Sequence, residues 1–193
     1  EHNGILLSTD NGENWREVNS GVMNVSVISL TKNKDKIFAG TFNGDGLFET
    51  TNDGDSWSKV KSDLFNRTSI SELVSSENNI FAIKYMNEEV FLSTNNGDSW
   101  SKVDSNLVAG KIKEIAINGN NIFALTDEGI FLSTDNGENW TKKFSREKWA
   151  EIDSNLKETY VRCFVFSESN IFAGTNKGVF LSDDNGESWA EID

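Results

Sequence analysis

The chain has 193 residues and carries 31 acidic against 18 basic side chains, a formal net charge of −13. A charge of that sign repels phosphate backbones and no basic stripe interrupts it, so nucleic acid and anionic membrane surfaces are excluded as partners. The length suits one domain or one small repeat array with ample core, and no apolar stretch approaches the ~20 residues that cross a bilayer.

Taken in chain order, the first element is a strand pair over about Ile5 to Val18, interrupted by Ser8-Thr-Asp-Asn-Gly-Glu-Asn-Trp15. An apolar run at Val27 to Leu30 follows, then Ile37-Phe38-Ala39, then Gly46-Leu47-Phe48, which leads into Thr50-Thr-Asn-Asp-Gly-Asp-Ser-Trp57. The same order returns with Ile80-Phe81-Ala82, Val90-Phe91-Leu92 and Ser93-Thr-Asn-Asn-Gly-Asp-Ser-Trp100. It returns again with Ile112 to Ile117, Ile122-Phe123-Ala124, Gly129 to Leu132 and Ser133-Thr-Asp-Asn-Gly-Glu-Asn-Trp140. The last round has Ile171-Phe172-Ala173, Gly178 to Leu181 and Ser182-Asp-Asp-Asn-Gly-Glu-Ser-Trp189.

These runs are short, β-branched and aromatic, with turn residues between them, and none carries a helical stripe. Each unit therefore reads strand A, strand B, strand C, a motif turn and strand D. The Trp-to-Trp steps are 42, 43, 40 and 49 residues, a period that suits one four-stranded antiparallel blade of a β-propeller. The fold class is all-β, with eighteen strands, or four and a half blades, in a single array over 1–193. Its repeats divide at about 1–18 (a half blade), 19–60, 61–103, 104–143 and 144–193. Four and a half blades leave an incomplete ring, a ring completed by a partner chain such as a second copy, or a strained five-bladed monomer.

The motif residues have physical roles. Gly12, Gly54, Gly97, Gly137 and Gly186 supply the positive φ of a tight hairpin. Asp10, Asn52, Asn95, Asp135 and Asp184 accept backbone N–H groups within their own turns, and Ser8, Thr50, Ser93, Ser133 and Ser182 close the same network. Trp15, Trp57, Trp100, Trp140 and Trp189 are expected to drop onto the apolar layer and pin each hairpin. Two motifs carry Asn where three carry Asp, a change that a turn tolerates and a metal or catalytic site does not. The acidic groups Asp10/Glu13, Asp53/Asp55 and Asp183/Asp184/Glu187 lack the ligand spacing of a calcium loop. Neither metal nor cofactor is expected.

The pattern Ser-x-Asp-x-Gly-x-x-Trp resembles the bacterial neuraminidase repeat, or Asp box. That repeat occurs in sialidases, xyloglucan-degrading glycosidases, sortilin-type receptors and photosystem II assembly-factor-like proteins. The resemblance covers nearly the whole chain and implies the fold; it does not choose an activity. A sialidase would further require an arginine trio, an Arg-Ile-Pro motif and a tyrosine nucleophile. The chain has no proline, two tyrosines (Tyr85 and Tyr160) and four arginines (Arg16, Arg67, Arg146 and Arg162). No catalytic residue is assigned. Cys163, flanked by apolar residues, reads as a small buried strand residue.

What remains is a loop face, made by the B–C and D–A connections at the end opposite the motif turns. Phe42, Tyr85, Glu88, Asp127 and Lys177 lie on it. The long 49-residue step holds Thr141 to Leu156, read as a bulged loop or short helical turn, with Trp149 as a candidate binding residue. The leading reading is a non-catalytic module that binds protein or glycan, with an extracellular or periplasmic address. The alternatives are a fragment of a glycoside hydrolase whose catalytic residues lie outside this chain, and a purely structural amplified repeat.

Overall fold

The computed structural model describes residues 4–76, 79–85, 89–103, 110, 112–152, 154–156, 158–167 and 169–192. The chain divides into two compact units, Glu1–Val103 and Asp104–Asp193, and the division falls on a repeat boundary. Eighteen strands lie among the described residues, all paired antiparallel with their chain neighbours.

The first unit opens with a two-stranded sheet, β1 (Leu6–Leu7) and β2 (Arg16–Glu17). A four-stranded sheet follows, in the order β3 (Val27–Asn33), β4 (Lys36–Thr41), β5 (Leu47–Thr50) and β6 (Ser58–Lys59). A second repeats it with β7 (Ile70–Ser76), β8 (Asn79–Lys84), β9 (Val90–Ser93) and β10 (Ser101–Lys102). The second strand of both four-stranded sheets carries the Ile-Phe-Ala signature and is mostly buried, since a neighbouring strand flanks it on either side and a packed layer covers it. Phe38, Phe65, Ile70 and Ile80 are fully enclosed in one cluster. Ile5, Val18, Val22 and Trp57 belong to another, which ties the two-stranded sheet down.

The second unit has two more four-stranded sheets. One runs β11 (Ile112–Asn118), β12 (Asn121–Thr126), β13 (Gly129–Ser133) and β14 (Thr141–Ser145); the other β15 (Val161–Ser167), β16 (Asn170–Thr175), β17 (Gly178–Ser182) and β18 (Ala190–Ile192). Between them lies the long step, which folds as a 3-10 turn, the four-residue helix α1 (Trp149–Ile152) and another 3-10 turn. This insert is short helical turns, and it seals the core of its unit.

Two expectations are corrected here. Cys163 is exposed, not buried. Along β15 side chains alternate, so Phe164 and Phe166 face the core cluster while Cys163 and Val165 take the opposite, open side. Trp149 is a core residue, 2% exposed, and not an exposed loop residue. Its ring meets Phe144 at 4.9 Å, Phe180 at 4.7 Å and Trp189 at 6.1 Å.

Candidate functional site

In an antiparallel sheet the A–B and C–D turns share one end and the B–C and D–A connections share the other. The C–D end holds the five motif turns. Each places its fourth and fifth residues at positive φ, 51–58° for the Asn or Asp and 83–90° for the glycine, the φ signature of a type I′ turn. The Ser or Thr hydroxyl accepts the glycine N–H at 2.8–3.2 Å and donates to the Asp or Asn Oδ1 at 2.7–3.0 Å. That oxygen in turn accepts a backbone N–H four residues on, at 2.8–3.0 Å. The side-chain oxygens are thus consumed by the turn itself.

The five motif tryptophans do not behave alike, which corrects the expectation that all five drop onto the core. Trp57 and Trp189 are buried, whereas Trp15 is 60% exposed and Trp100 and Trp140 are half-buried. Trp15, Trp100 and Trp140 fold back over their own hairpins and donate Nε1–H to the glycine carbonyl at 3.0–3.1 Å. Trp57 reaches instead to the Val18 carbonyl at 2.8 Å. The motif pattern is shared by all five; what lies beneath the ring decides.

The loop end is built from three recurring positions. A β-bulge opens each A strand and leaves one extra residue: Ile28, Ser71, Lys113 and Arg162. Such bulges re-aim a side chain out of the ladder. The residue after each B strand forms a second set: Phe42, Tyr85, Asp127 and Asn176. The N–H donates to the carbonyl of the residue preceding strand A at Phe42 (to Ser26, 2.8 Å), Tyr85 (to Ser69, 2.9 Å) and Asn176 (to Tyr160, 3.4 Å). Ser26, Ser69 and Tyr160 are thereby the third set.

A family model for the DUF6242 beta propeller domain matches residues 14–148. The chain belongs to the DUF6242 β-propeller domain family. No curated protein sequence matches this DUF6242 domain. Among solved structures it is similar to YCF48 from Cyanidioschyzon merolae (TM-score 0.64, 16% identity, 85% of this chain and 55% of that one). It is also similar to YCF48 bound to D1 peptide (TM-score 0.66, 16% identity, 99% of this chain and 64% of that one). An ancestral GH74 enzyme matches with TM-score 0.71 and 21% identity over 98% of this chain and 28% of its own. The DUF6242 domain thus spans little more than half the length of the YCF48 structures, and the likeness to all three is one of fold.

Within the first unit of the DUF6242 domain the loop end brings Phe42 and Tyr85 together. Their rings meet edge to face at 5.1 Å and 80°, and both stay exposed, at 36% and 45%. Nearby, Glu89 accepts from Lys102 and from Lys84 (3.2 Å), which hold its carboxyl below the usual range. Glu88 lies outside the described residues. In the second unit the loop end forms a cleft of about 240 Å3, lined by Lys113 and Asp127 at its exposed rim and by Trp149 and Phe144 in its wall. Lys177 is exposed on the β16–β17 turn and does not line that cleft. The bulge residues Ile28, Ser71, Lys113 and Arg162 are the ones the sequence reading did not single out, and no local sequence signal marks them.

Three motif carboxylates titrate low. The Asn14 backbone N–H, then its side-chain amide and Ser8, bring Asp10 down to about 2 from the ordinary 3.8. The Asn139 amide and backbone N–H lower Asp135. At Asp184 partial burial pushes upward but is outweighed by the Ser188 hydroxyl and N–H. A folded-state value below the unfolded one contributes stability that is complete above about pH 4 and is lost as pH falls through the folded value. Backbone amide shifts at Asn14, Asn139 and Ser188 are therefore expected to move only as pH falls below about 4. Those at Ser56 and Ser99, whose turns carry Asn, should hold constant. NMR titration checks this, and uniform movement of all five would refute it.

Proposed function

We propose that this domain is a non-catalytic binding module that takes a protein partner on the loop end of its sheets. The observation that carries the reading is where the repeats differ. At the motif end even exposed positions repeat: the fourth motif residue is Asn or Asp in every case and the sixth is Glu or Asp. At the loop end the chemistry changes from sheet to sheet, Ile, Ser, Lys and Arg at the bulge, and Phe, Tyr, Asp and Asn after strand B. One end is uniform and the other diversified, and this points to recognition at the second. The exposed Phe42–Tyr85 pair is an apolar anchor of the kind that protein interfaces bury at their centres.

The carboxylates support a non-catalytic role. The motif acids are held ionised by their own turns. Glu114, raised by burial, accepts the Phe164 N–H at 3.3 Å and so ties β11 to β15. We further read the five turns as Asp boxes, because the Ser–Asp–Gly hydrogen bonds close in each. YCF48, which shares the fold, has been seen bound to D1 peptide, in keeping with a polypeptide ligand.

A photo-crosslinking residue at Phe42 or Tyr85 is expected to capture the same discrete protein in source cells, while one at Asp53 on the motif end captures none. Equal capture from both ends, or none from Phe42 and Tyr85, overturns the loop-end reading. Release of reducing sugar from a panel of glycosides by the purified chain overturns the non-catalytic half.

A further inference from the structure

We infer that the serine hydroxyls at the Asn-Gly bends are chemical guards: each holds its glycine nitrogen back from closing a ring on the asparagine before it, the step that turns asparagine into aspartate or isoaspartate. This goes beyond the protein-binding reading and does not depend on it. A bend with two positive φ values asks for Asn followed by Gly. The same pair is the one most open to this reaction, because glycine has no side chain to hinder the approach of its own nitrogen. That nitrogen sheds its proton and attacks the Asn Cγ, the side-chain amide leaves as ammonia, and a five-membered succinimide forms. Water then opens either carbonyl of the ring, leaving aspartate or, with one more carbon in the backbone, isoaspartate.

Five bends pose this hazard in one geometry. Asn11, Asn43, Asn96, Asn136 and Asn185 hold φ of 56–59°, and the glycine after each holds 83–90°. Asn11, Asn43, Asn136 and Asn185 are exposed, so water is at hand for the second step. In all five the glycine N–H donates to a serine Oγ: Gly12 to Ser8 at 2.8 Å, and Gly44 to Ser69, Gly97 to Ser93, Gly137 to Ser133 and Gly186 to Ser182 at 2.9 Å. The bend does not need that bond to close. Closure is a backbone bond from the residue after the glycine to the carbonyl before the asparagine, as from Glu13 to Asp10, Asp45 to Phe42, Asp98 to Asn95 and Glu138 to Asp135 at 3.2–3.4 Å.

Asn43 separates guarding from membership of the motif. It lies outside every motif, and where a motif would place its serine the chain has Gly40. The hydroxyl comes instead from Ser69, 25 residues on, at the entrance to β7 in the next sheet. Two unrelated routes thus bring the same group to the same nitrogen. A hydroxyl suits the task because it accepts the N–H without removing the proton, an alcohol oxygen being a very weak base. In the motif turns its own hydrogen is committed to Oδ1 of the Asp or Asn at 2.8–3.0 Å. The Asp10 carboxylate behind Ser8, which titrates at about 2, is itself a poor proton acceptor. At Asn43 the guard protects the loop end, since isoaspartate there would lengthen the backbone and add a charge beside Phe42, whose ring meets Tyr85 at 5.1 Å.

Peptide mapping by mass spectrometry tests this on the full chain, aged in warm, mildly alkaline buffer. Asn118–Gly119, at the extended end of β11, is read in the same samples as a common clock. Ser69→Ala is expected to speed isoaspartate formation at Asn43 about five- to tenfold, the effect of losing one hydrogen bond, and at no other bend. Ser133→Ala should do the same at Asn136 alone, while Ser133→Thr, the hydroxyl that Thr50 supplies in the second motif, keeps the slow rate. Hydrogen exchange at the Tyr85 N–H, which bonds the Ser69 carbonyl at 2.9 Å, reports whether the loop stays closed. The proposal is overturned if Asn43 reacts no faster in Ser69→Ala, if Ser133→Thr ages as fast as Ser133→Ala, or if Tyr85 loses its protection along with the faster reaction. None of these results bears on crosslinking from Phe42 and Tyr85, so the two readings fail separately.

Discussion

Trp149→Ala is expected to destabilise the second unit by about 3–5 kcal/mol, while Trp15→Ala costs less than about 1 kcal/mol. Trp149 stands outside every motif, yet it is 2% exposed and packs against Phe144, Phe180 and Trp189. Truncating it removes the shared face of an aromatic cluster and leaves a cavity that the rigid sheets on either side cannot close. Trp15 is a motif residue, yet it is 60% exposed, and its one polar tie is Nε1–H to the Gly12 carbonyl at 3.0 Å. Urea titration followed by hydrogen exchange over residues 112–192 and 4–76 separates the two. Comparable losses would mean that membership of the motif, and not the surroundings of the ring, sets what each tryptophan contributes.

The contrast marks how far the sequence can be read. The strands and their order are legible because the signals are local: short β-branched and aromatic runs, with an Asn-Gly or Asp-Gly bend in every motif turn. The turn chemistry is legible for the same reason, since donor and acceptor sit within four residues of each other. Burial of the indoles is not, because Trp15 and Trp57 share a motif and differ only in what another strand pair places beneath them. Cys163 fails on the same ground, as its apolar neighbours Phe164 and Val165 point to opposite faces of β15 and only one face is covered. At the candidate site, Phe42 and Tyr85 are individually visible as aromatics in turns. Their meeting depends on sheet register across 43 residues, which composition does not encode. The lining of the second-unit cleft is legible in part, through Asp127 and Trp149. Lys113 is not, since a bulge is a property of packing.

Register also sets the result expected at the motif glycines, which look interchangeable in sequence. Gly97 and Gly186 both hold φ near +85°, at +83° and +86°, so alanine at either carries the left-handed penalty of about 1–2 kcal/mol. Their surroundings differ. A Cβ on Gly97 would run into the ring of Phe38, which is fully buried and meets Trp100 edge to face at 6.2 Å. Trp100 in turn meets Phe65 at 5.1 Å, so the ring has no free side to move toward. A Cβ on Gly186 would find Lys143 and Trp189 atoms at 3.8 Å, ordinary van der Waals contact. Overpacking adds about 1–3 kcal/mol at the first site and nothing at the second. Gly97→Ala should therefore cost about 2–5 kcal/mol and Gly186→Ala only about 1–2, read from urea midpoints at unchanged slope. Equal losses would show that the Phe38 ring can yield, and that the motif glycine serves backbone conformation alone. The expected inequality gives Gly97 a second role, as the point where one hairpin turn lies directly against the aromatic core of the sheet before it, so a methyl group there disturbs two sheets at once.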